Sequence, residues 1–294
     1  MFYTERIFMK KIIFSIYVDI PSDKLDNPGW WENGVQVKTD KSEFTKKQLN
    51  RFRDRIIERH KDYAAHIGAD YVLHKYDTEY ETFCEMFRNE YPQISEYDII
   101  NFYKHWLMKK HAESHDLICY FDFDVVPSTR EDIFDAHTPL DYFCCAESNG
   151  EAIPGKVVDS KNYNHCIRNP ASKYWNAHAM LTGEGYDGDT DVFNTGIMIA
   201  SKKTIQKMDY FGDFKEVLEY MTELKNDEAS MYPPNIQRAF NYDNETVFSF
   251  KRVANEVPIQ YIDNKWHSRV LDSRVDPDAK IYHVINKEFA SVFG

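Results

Sequence analysis

Cysteine is scarce and badly arranged for cross-linking. Five are present, Cys84, Cys119, Cys144, Cys145 and Cys166, an odd number with no C-x-x-C pair. A disulfide scaffold and a cysteine-rich zinc site are therefore not expected, and the thiols read as reduced and mostly buried in a cytoplasmic chain. Positive charge is also short. Thirty-six Lys and Arg stand against forty-eight Asp and Glu, a formal net charge of -12. A nucleic-acid backbone is not the expected main partner, because binding it needs a basic surface. No apolar run reaches the length of a membrane span. Lys10-Lys11 before Ile12-Ile13-Phe14-Ser15-Ile16-Tyr17-Val18 imitates a signal peptide, but the run is short and no small-residue cleavage site follows. No P-loop, G-x-G-x-x-G run, internal repeat, heptad pattern or low-complexity tract occurs.

What is present is an α/β pattern. The 294 residues are 43% hydrophobic, with twenty Tyr, twenty Phe and five Trp, enough for a sizeable core and equally suited to stacking a base or a sugar ring. Lys11 to Val18 reads as a central strand covered on both faces, with Asp19 at its end. Thr45 to Ile67 carries Leu49, Phe52, Ile56, Ile57 and Tyr63 at helical spacing, Gly68 stops it, and Ala69 to His74 is a second strand. Strand, helix, strand is the unit of a parallel sheet. Asn27 to Lys41, with Trp30-Trp31, reads as a loop, and Ser95 to His111 as a helix. Ser148 to Asp191, long and polar with a short helix at Tyr174 to His178, is expected to recognise an acceptor and act in part as a lid.

The chemistry gathers at Leu117-Ile118-Cys119-Tyr120-Phe121-Asp122-Phe123-Asp124-Val125-Val126-Pro127. A buried apolar strand ends in two carboxylates one residue apart. At the carboxyl edge of an open α/β sheet, where ligands bind, two such acids cost desolvation energy unless a cation neutralises them. Side chains at i and i+2 leave a strand on one face, so both acids address one ion, or one ligates while the other holds a ribose. Oxygen ligands favour Mg²⁺ or Mn²⁺ over zinc. A D-x-D pair that merely caps a loop is the competing explanation, weakened by the apolar residues continuing past the acids.

The segment Tyr120 to Pro127 resembles the metal-binding D-x-D segment of nucleotide-sugar-dependent glycosyltransferases with the GT-A fold. Three further stretches follow in the family's order. Phe193-Asn194-Thr195-Gly196-Ile197 resembles the segment lining the donor sugar, Tyr242-Asp243-Asn244-Glu245 the acidic segment opening a helix behind it, and Pro258 to His267 the strand ending in L-P-x-K-W-N, with His267 in place of asparagine. Motif order is closest to the glycogenin-like family (family 8-like). The resemblance implies one domain over residues 1–294, with a Rossmann-like, mostly parallel central sheet flanked by helices, a nucleotide-binding half at 11–127, and a donor-sugar and acceptor half at 128–294.

The resemblance also implies roles. Asp122, Asp124 and His283 would hold Mn²⁺ or Mg²⁺. Ser15, Tyr17 and Asp19 would contact the nucleotide, Lys104, Lys265 and Lys287 its phosphates, and Asn194 the sugar. Asp243 and Glu245 would be the catalytic acids, although Asp243 equally suits a helix N-cap. The expected reaction transfers sugar from a UDP-sugar to a hydroxyl of a glycan, protein or small molecule, with retention. A metal-dependent nucleotidyltransferase or phosphatase and a non-catalytic sugar-binding protein are the alternatives.

Overall fold

A strand buried on both faces needs helices on both sides of its sheet, and the computed structural model has that arrangement. It describes residues 9–19, 30–32, 35–37, 41–94, 96–148, 170–226, 242–270 and 274–294. In chain order the elements are β1 (Lys11–Tyr17), β2 (Trp30–Glu32), β3 (Val35–Val37), α1 (Lys41–His66), β4 (Asp70–Lys75), α2 (Thr78–Glu90), α3 (Glu96–His111), β5 (Leu117–Asp122) and β6 (Val125–Pro127). There follow α4 (Ile133–Ala136), β7 (Phe143–Glu147), α5 (Pro170–Gly183), β8 (Phe193–Ser201), α6 (Lys202–Met208), α7 (Phe214–Asn226), α8 (Asn244–Ala254), β9 (Ile259–Tyr261), β10 (Ser268–Arg269), β11 (Ile281–His283) and α9 (Ala290–Phe293).

The main sheet runs β4-β1-β5-β8-β7-β9. The β1 pairings with β4 and β5 are parallel, as is β7 with β9, whereas β8 runs antiparallel to both its neighbours. The carboxyl ends of β1, β4, β5, β7 and β9 consequently share one edge with the amino end of β8. Along β5, Ile118 and Tyr120 pack in a core with α2, α3, α7 and α8. Leu117, Cys119 and Phe121 pack on the opposite side with Tyr63 and Ala64 of α1 and with Ile133 and Phe134. Alternate residues feeding two apolar layers explain why the strand reads as an unbroken hydrophobic run. Among the described residues no helix is long and apolar enough to cross a membrane.

Two differences from the sequence reading bear on the site. Leu117 to Pro127 is not one strand. The chain turns at Phe123-Asp124, and Val125–Pro127 joins a second sheet, β10-β11-β6. In that sheet His283 lies opposite Val125 and Arg269 beside His283. The two acids therefore converge through a turn rather than through the period of two of a strand. Trp30–Glu32 and Val35–Val37, read as loop, pair antiparallel. The Asn33-Gly34 dipeptide between them is a hairpin signal that the loop reading passed over. Inside the long polar stretch α5 spans fourteen residues, more than the short helix expected, and residues 149–169 of that stretch lie outside the described ones.

One buried histidine ties these layers together. His60 continues the Phe52, Ile56 apolar stripe of α1 and is fully buried. Its Nε2–H donates to the Val125 carbonyl (2.5 Å), while Nδ1 accepts from the Ser15 hydroxyl (3.2 Å) and the Tyr71 hydroxyl (3.1 Å). Burial lowers its pKa to about 4, against weaker opposing pulls from Val125 and Asp124. A folded-state value below the unfolded 6.5 means the unfolded chain binds the extra proton first. Stability is complete above about pH 6.5 and falls as pH drops toward 4. The 2.5-unit gap between 6.5 and about 4 is worth on the order of 3 kcal/mol at 1.36 kcal/mol per unit. Urea unfolding at pH 7, 5.5 and 4 measures this, and in His60→Asn the part of the decline between pH 6.5 and 5 is expected to shrink; an unchanged slope would assign the decline elsewhere.

Candidate functional site

The edge where the strands end carries the acids. Asp122 is the last residue of β5, half-buried, and its Oδ1 accepts from the Tyr120 hydroxyl at 2.6 Å. Asp124 sits in the turn and is 6% exposed. His283 reaches it from β11, with Nε2 3.4 Å from Asp124 Oδ2 and 3.8 Å from Asp122 Oδ2. The three ligand atoms lie within 4.8 Å of one another. The Asp124 carbonyl accepts from the Val284 amide (2.9 Å), so turn and strand are pinned at the backbone as well.

Two lysines border this group. The Lys287 ammonium is ion-paired with Asp124. Burial pushes the Asp124 carboxyl up, but Lys287 and then His283 outweigh it and hold it well below the usual carboxylate range. Lys104, buried on α3, lies 3.9 Å from Asp122 Oδ1, donates to the Thr195 carbonyl at 3.3 Å and stands 5.3 Å over the Tyr120 ring. Two carboxylates and one imidazole make a donor set that could hold a divalent cation.

Strand β8 forms the next wall. Its register with β7 jumps between Cys145↔Met198 and Ala146↔Asn194, leaving Thr195-Gly196-Ile197 bulged out of that ladder. The freed amides find side chains instead. Gly196 N–H donates to Asn194 Oδ1 (2.9 Å), and Thr195 donates from both N–H (2.8 Å) and Oγ1 (2.9 Å) to Glu245 Oε1. The other Glu245 oxygen is ion-paired with Lys173 of α5. Burial raises the Glu245 carboxyl, yet Lys173 and Lys104 bring it down to about 2. Lys104 thus neutralises acids on both sides of the site.

Gly196 is required by close approach. A Cβ there would fall 2.4 Å from His283 Cε1 and 2.9 Å from Asn194 Oδ1. Gly196→Ala is expected to displace the imidazole and cost about 1–3 kcal/mol in urea unfolding, together with cation affinity; wild-type stability would show that the ring has room to move.

Of the remaining sequence candidates, Asp243 is the N-cap of α8, its Oδ1 accepting from Glu245 N–H (2.6 Å) and Thr246 N–H (3.2 Å), and its Oδ2 lies 3.9 Å from Lys173. Tyr17 closes β1 with its ring centroid 4.5 Å from that of Phe123, beside the acidic turn. Asp19 is exposed and paired with Lys46 at 3.1 Å. Ser15 is not brought to the edge. It is fully buried and occupied by His60, so it has no surface for a nucleotide. Lys265 is exposed on the turn after β9, and its side chain makes no hydrogen bond or ion pair with described residues. His60 and Lys173 were not singled out. A histidine at the i+4 position of an apolar helical stripe was the available signal for the first, and a lysine in a stretch read as loop gave none for the second.

No family model matches the chain, and no curated protein matches it. Solved structures do align along most of its length. A glycosyltransferase involved in glycosylation of the major capsid of PBCV-1 is 12% identical, covering 97% of this chain and 100% of its own at a TM-score of 0.42. Mouse xyloside xylosyltransferase 1 is 10% identical over 94% and 97% (TM-score 0.41). The galactosyltransferase LgtC, solved with donor and acceptor sugar analogs, is 11% identical over 92% and 86% (TM-score 0.42). With scores below 0.5 and identities this low, likeness alone assigns this chain no activity.

Proposed function

We infer that the chain is a metal-dependent glycosyltransferase of the GT-A type, moving a sugar from a UDP-sugar to a hydroxyl acceptor with retention. The observation that carries this reading is the Asp122, Asp124 and His283 cluster at the carboxyl edge of the sheet, bordered by Lys104 and Lys287. Asp122, Asp124 and His283 would hold a divalent cation, which would supply Lewis-acid stabilisation of charge on the departing diphosphate. The protein's own part is positioning and charge. Lys287 and His283 hold the Asp124 carboxyl well below the usual carboxylate range, and Lys287 and Lys104 would compensate charge on the phosphate oxygens. Tyr17 would offer its partly buried ring to the base, and Asn194 would hydrogen-bond the donor sugar. Glu245 has both oxygens engaged, by Thr195 and by Lys173, and its part is to hold β8 against α8 at the donor-sugar wall. The four cysteines among the described residues are free and buried, which supports a cytoplasmic place.

A panel of UDP- and GDP-sugars with Mn²⁺, followed for released nucleotide and repeated in EDTA, tests the reading. Metal-dependent nucleoside diphosphate release is expected. Pyrophosphate release would instead indicate a nucleotidyltransferase, and sugar binding with no nucleotide released a binding protein. Anomer analysis of the product by NMR checks retention.

A further inference from the structure

The imidazole of His283 has two nitrogens, and only one faces the aspartates. Nε2 is the atom near Asp122 and Asp124; Nδ1 lies 2.7 Å from Nε2 of His267, and the two ring planes differ by 17°. A nitrogen that gives its lone pair to a cation carries no proton, so a neutral His283 ligating through Nε2 must carry its hydrogen on Nδ1. That hydrogen has one acceptor in place, His267 Nε2. We propose that His267 is a positioning residue of the cation site, accepting the Nδ1–H of His283 and so holding the imidazole in the tautomer and orientation that offers Nε2 to the metal. This rests on the reading of Asp122, Asp124 and His283 as a metal centre.

The surroundings of His267 give no other reason for a histidine. Its side chain is 2% exposed, and its own Nδ1 is buried with no hydrogen-bond partner among the described residues. An unpaired buried polar atom costs free energy that an apolar side chain of similar size would avoid. A neutral ring with Nδ1 protonated presents a lone pair at Nε2, which is what His283 needs. Backbone pairing fixes the approach: His267 N–H donates to the Asp263 carbonyl (2.9 Å), and the next residues, Ser268 and Arg269, lie in register with Tyr282 and His283. Groups that bond the far nitrogen of a ligating histidine orient it and raise its basicity, and their loss typically weakens metal binding by 10–100-fold.

The test is Mn²⁺ titration of the full chain, alone and with UDP, with free Mn²⁺ counted by electron paramagnetic resonance and melting measured in EDTA. His267→Leu removes the acceptor, whereas His267→Gln places a carbonyl oxygen near the position of Nε2. The leucine variant is expected to bind Mn²⁺ roughly 10–100-fold more weakly, the glutamine variant within a few-fold of wild type, and both to melt close to wild type without metal. His267→Phe, which keeps a ring in the space, serves if the leucine variant does not fold. Wild-type Mn²⁺ affinity in the leucine or phenylalanine variant overturns the proposal, as does a glutamine variant as weak as they are. If the wild-type chain binds no Mn²⁺ with or without UDP, or Asp122→Asn leaves binding unchanged, it is the metal-centre reading that fails, and the positioning role with it.

Discussion

Replacing Asp122 and Asp124 together by alanine is expected to lower metal-dependent nucleotide release by on the order of a thousandfold. The estimate takes about 4 kcal/mol for a cation's contribution to the transition state and about 1.36 kcal/mol per factor of ten. The two acids are not equivalent. Asp122 is half-buried and shares its oxygens with Tyr120 and Lys104, so its loss alone leaves the fold largely undisturbed. Asp124 is buried between Lys287 and His283, and removing it leaves a partly buried ammonium without its counter-charge. Asp124→Ala is thus expected to lose both turnover and stability, Asp122→Ala chiefly turnover. Steady-state rates beside urea unfolding separate the two, and turnover surviving in the double variant would end the metal-dependent reading.

Glu245→Ala should give the largest loss of stability, about 3–5 kcal/mol, the range for breaking a buried ion pair by deleting one partner. The carboxylate receives both donors of Thr195 and the Lys173 ammonium, and α5 meets α8 through that pair. Alanine takes the nearer carboxylate from Lys173, leaving it Asp243 Oδ2 at 3.9 Å, and leaves the Thr195 amide and hydroxyl without their acceptor. Removing both charges, as in Lys173→Met with Glu245→Met, is expected to recover part of the loss, because two apolar side chains leave no stranded ion. Chemical denaturation decides this. A single Glu245→Ala variant as stable as wild type would mean that Lys173 finds another partner at no cost.

These two acids show how far the sequence was legible. Asp122 and Asp124 stood out because carboxylates at the end of an apolar strand are costly, and the structure places them together. The reason given was incomplete, since convergence depends on the turn at Phe123-Asp124 and on pairing of β6 with β11. Long-range pairing of three-residue strands leaves almost no local pattern, so the partnership of Val125 with His283 could not be read from spacing. Asp243 was legible twice over, since a helix-starting aspartate is a local signal and it caps α8. Glu245 was expected to be catalytic by position, but local sequence is silent about Lys173 and Thr195, which occupy its oxygens. Ser15, expected at the nucleotide, is buried because β1 is covered on both faces, and a central strand gives its interior positions to the core. The α/β class and the mostly parallel sheet followed from hydrophobic runs and helical spacing, signals strong enough to survive without any tertiary information.

The three-stranded β10-β11-β6 ladder sets an order of assembly. Asp122 and Asp124 leave the ribosome some 160 residues before His283, and until that strand arrives the acidic turn lacks both its imidazole and the Val284 amide that fastens Asp124. A nascent chain shortened at residue 270 would hold every strand of the main sheet and still lack a finished rim. Completion of the Asp122, Asp124 and His283 cluster then waits until elongation has carried the chain past residue 284.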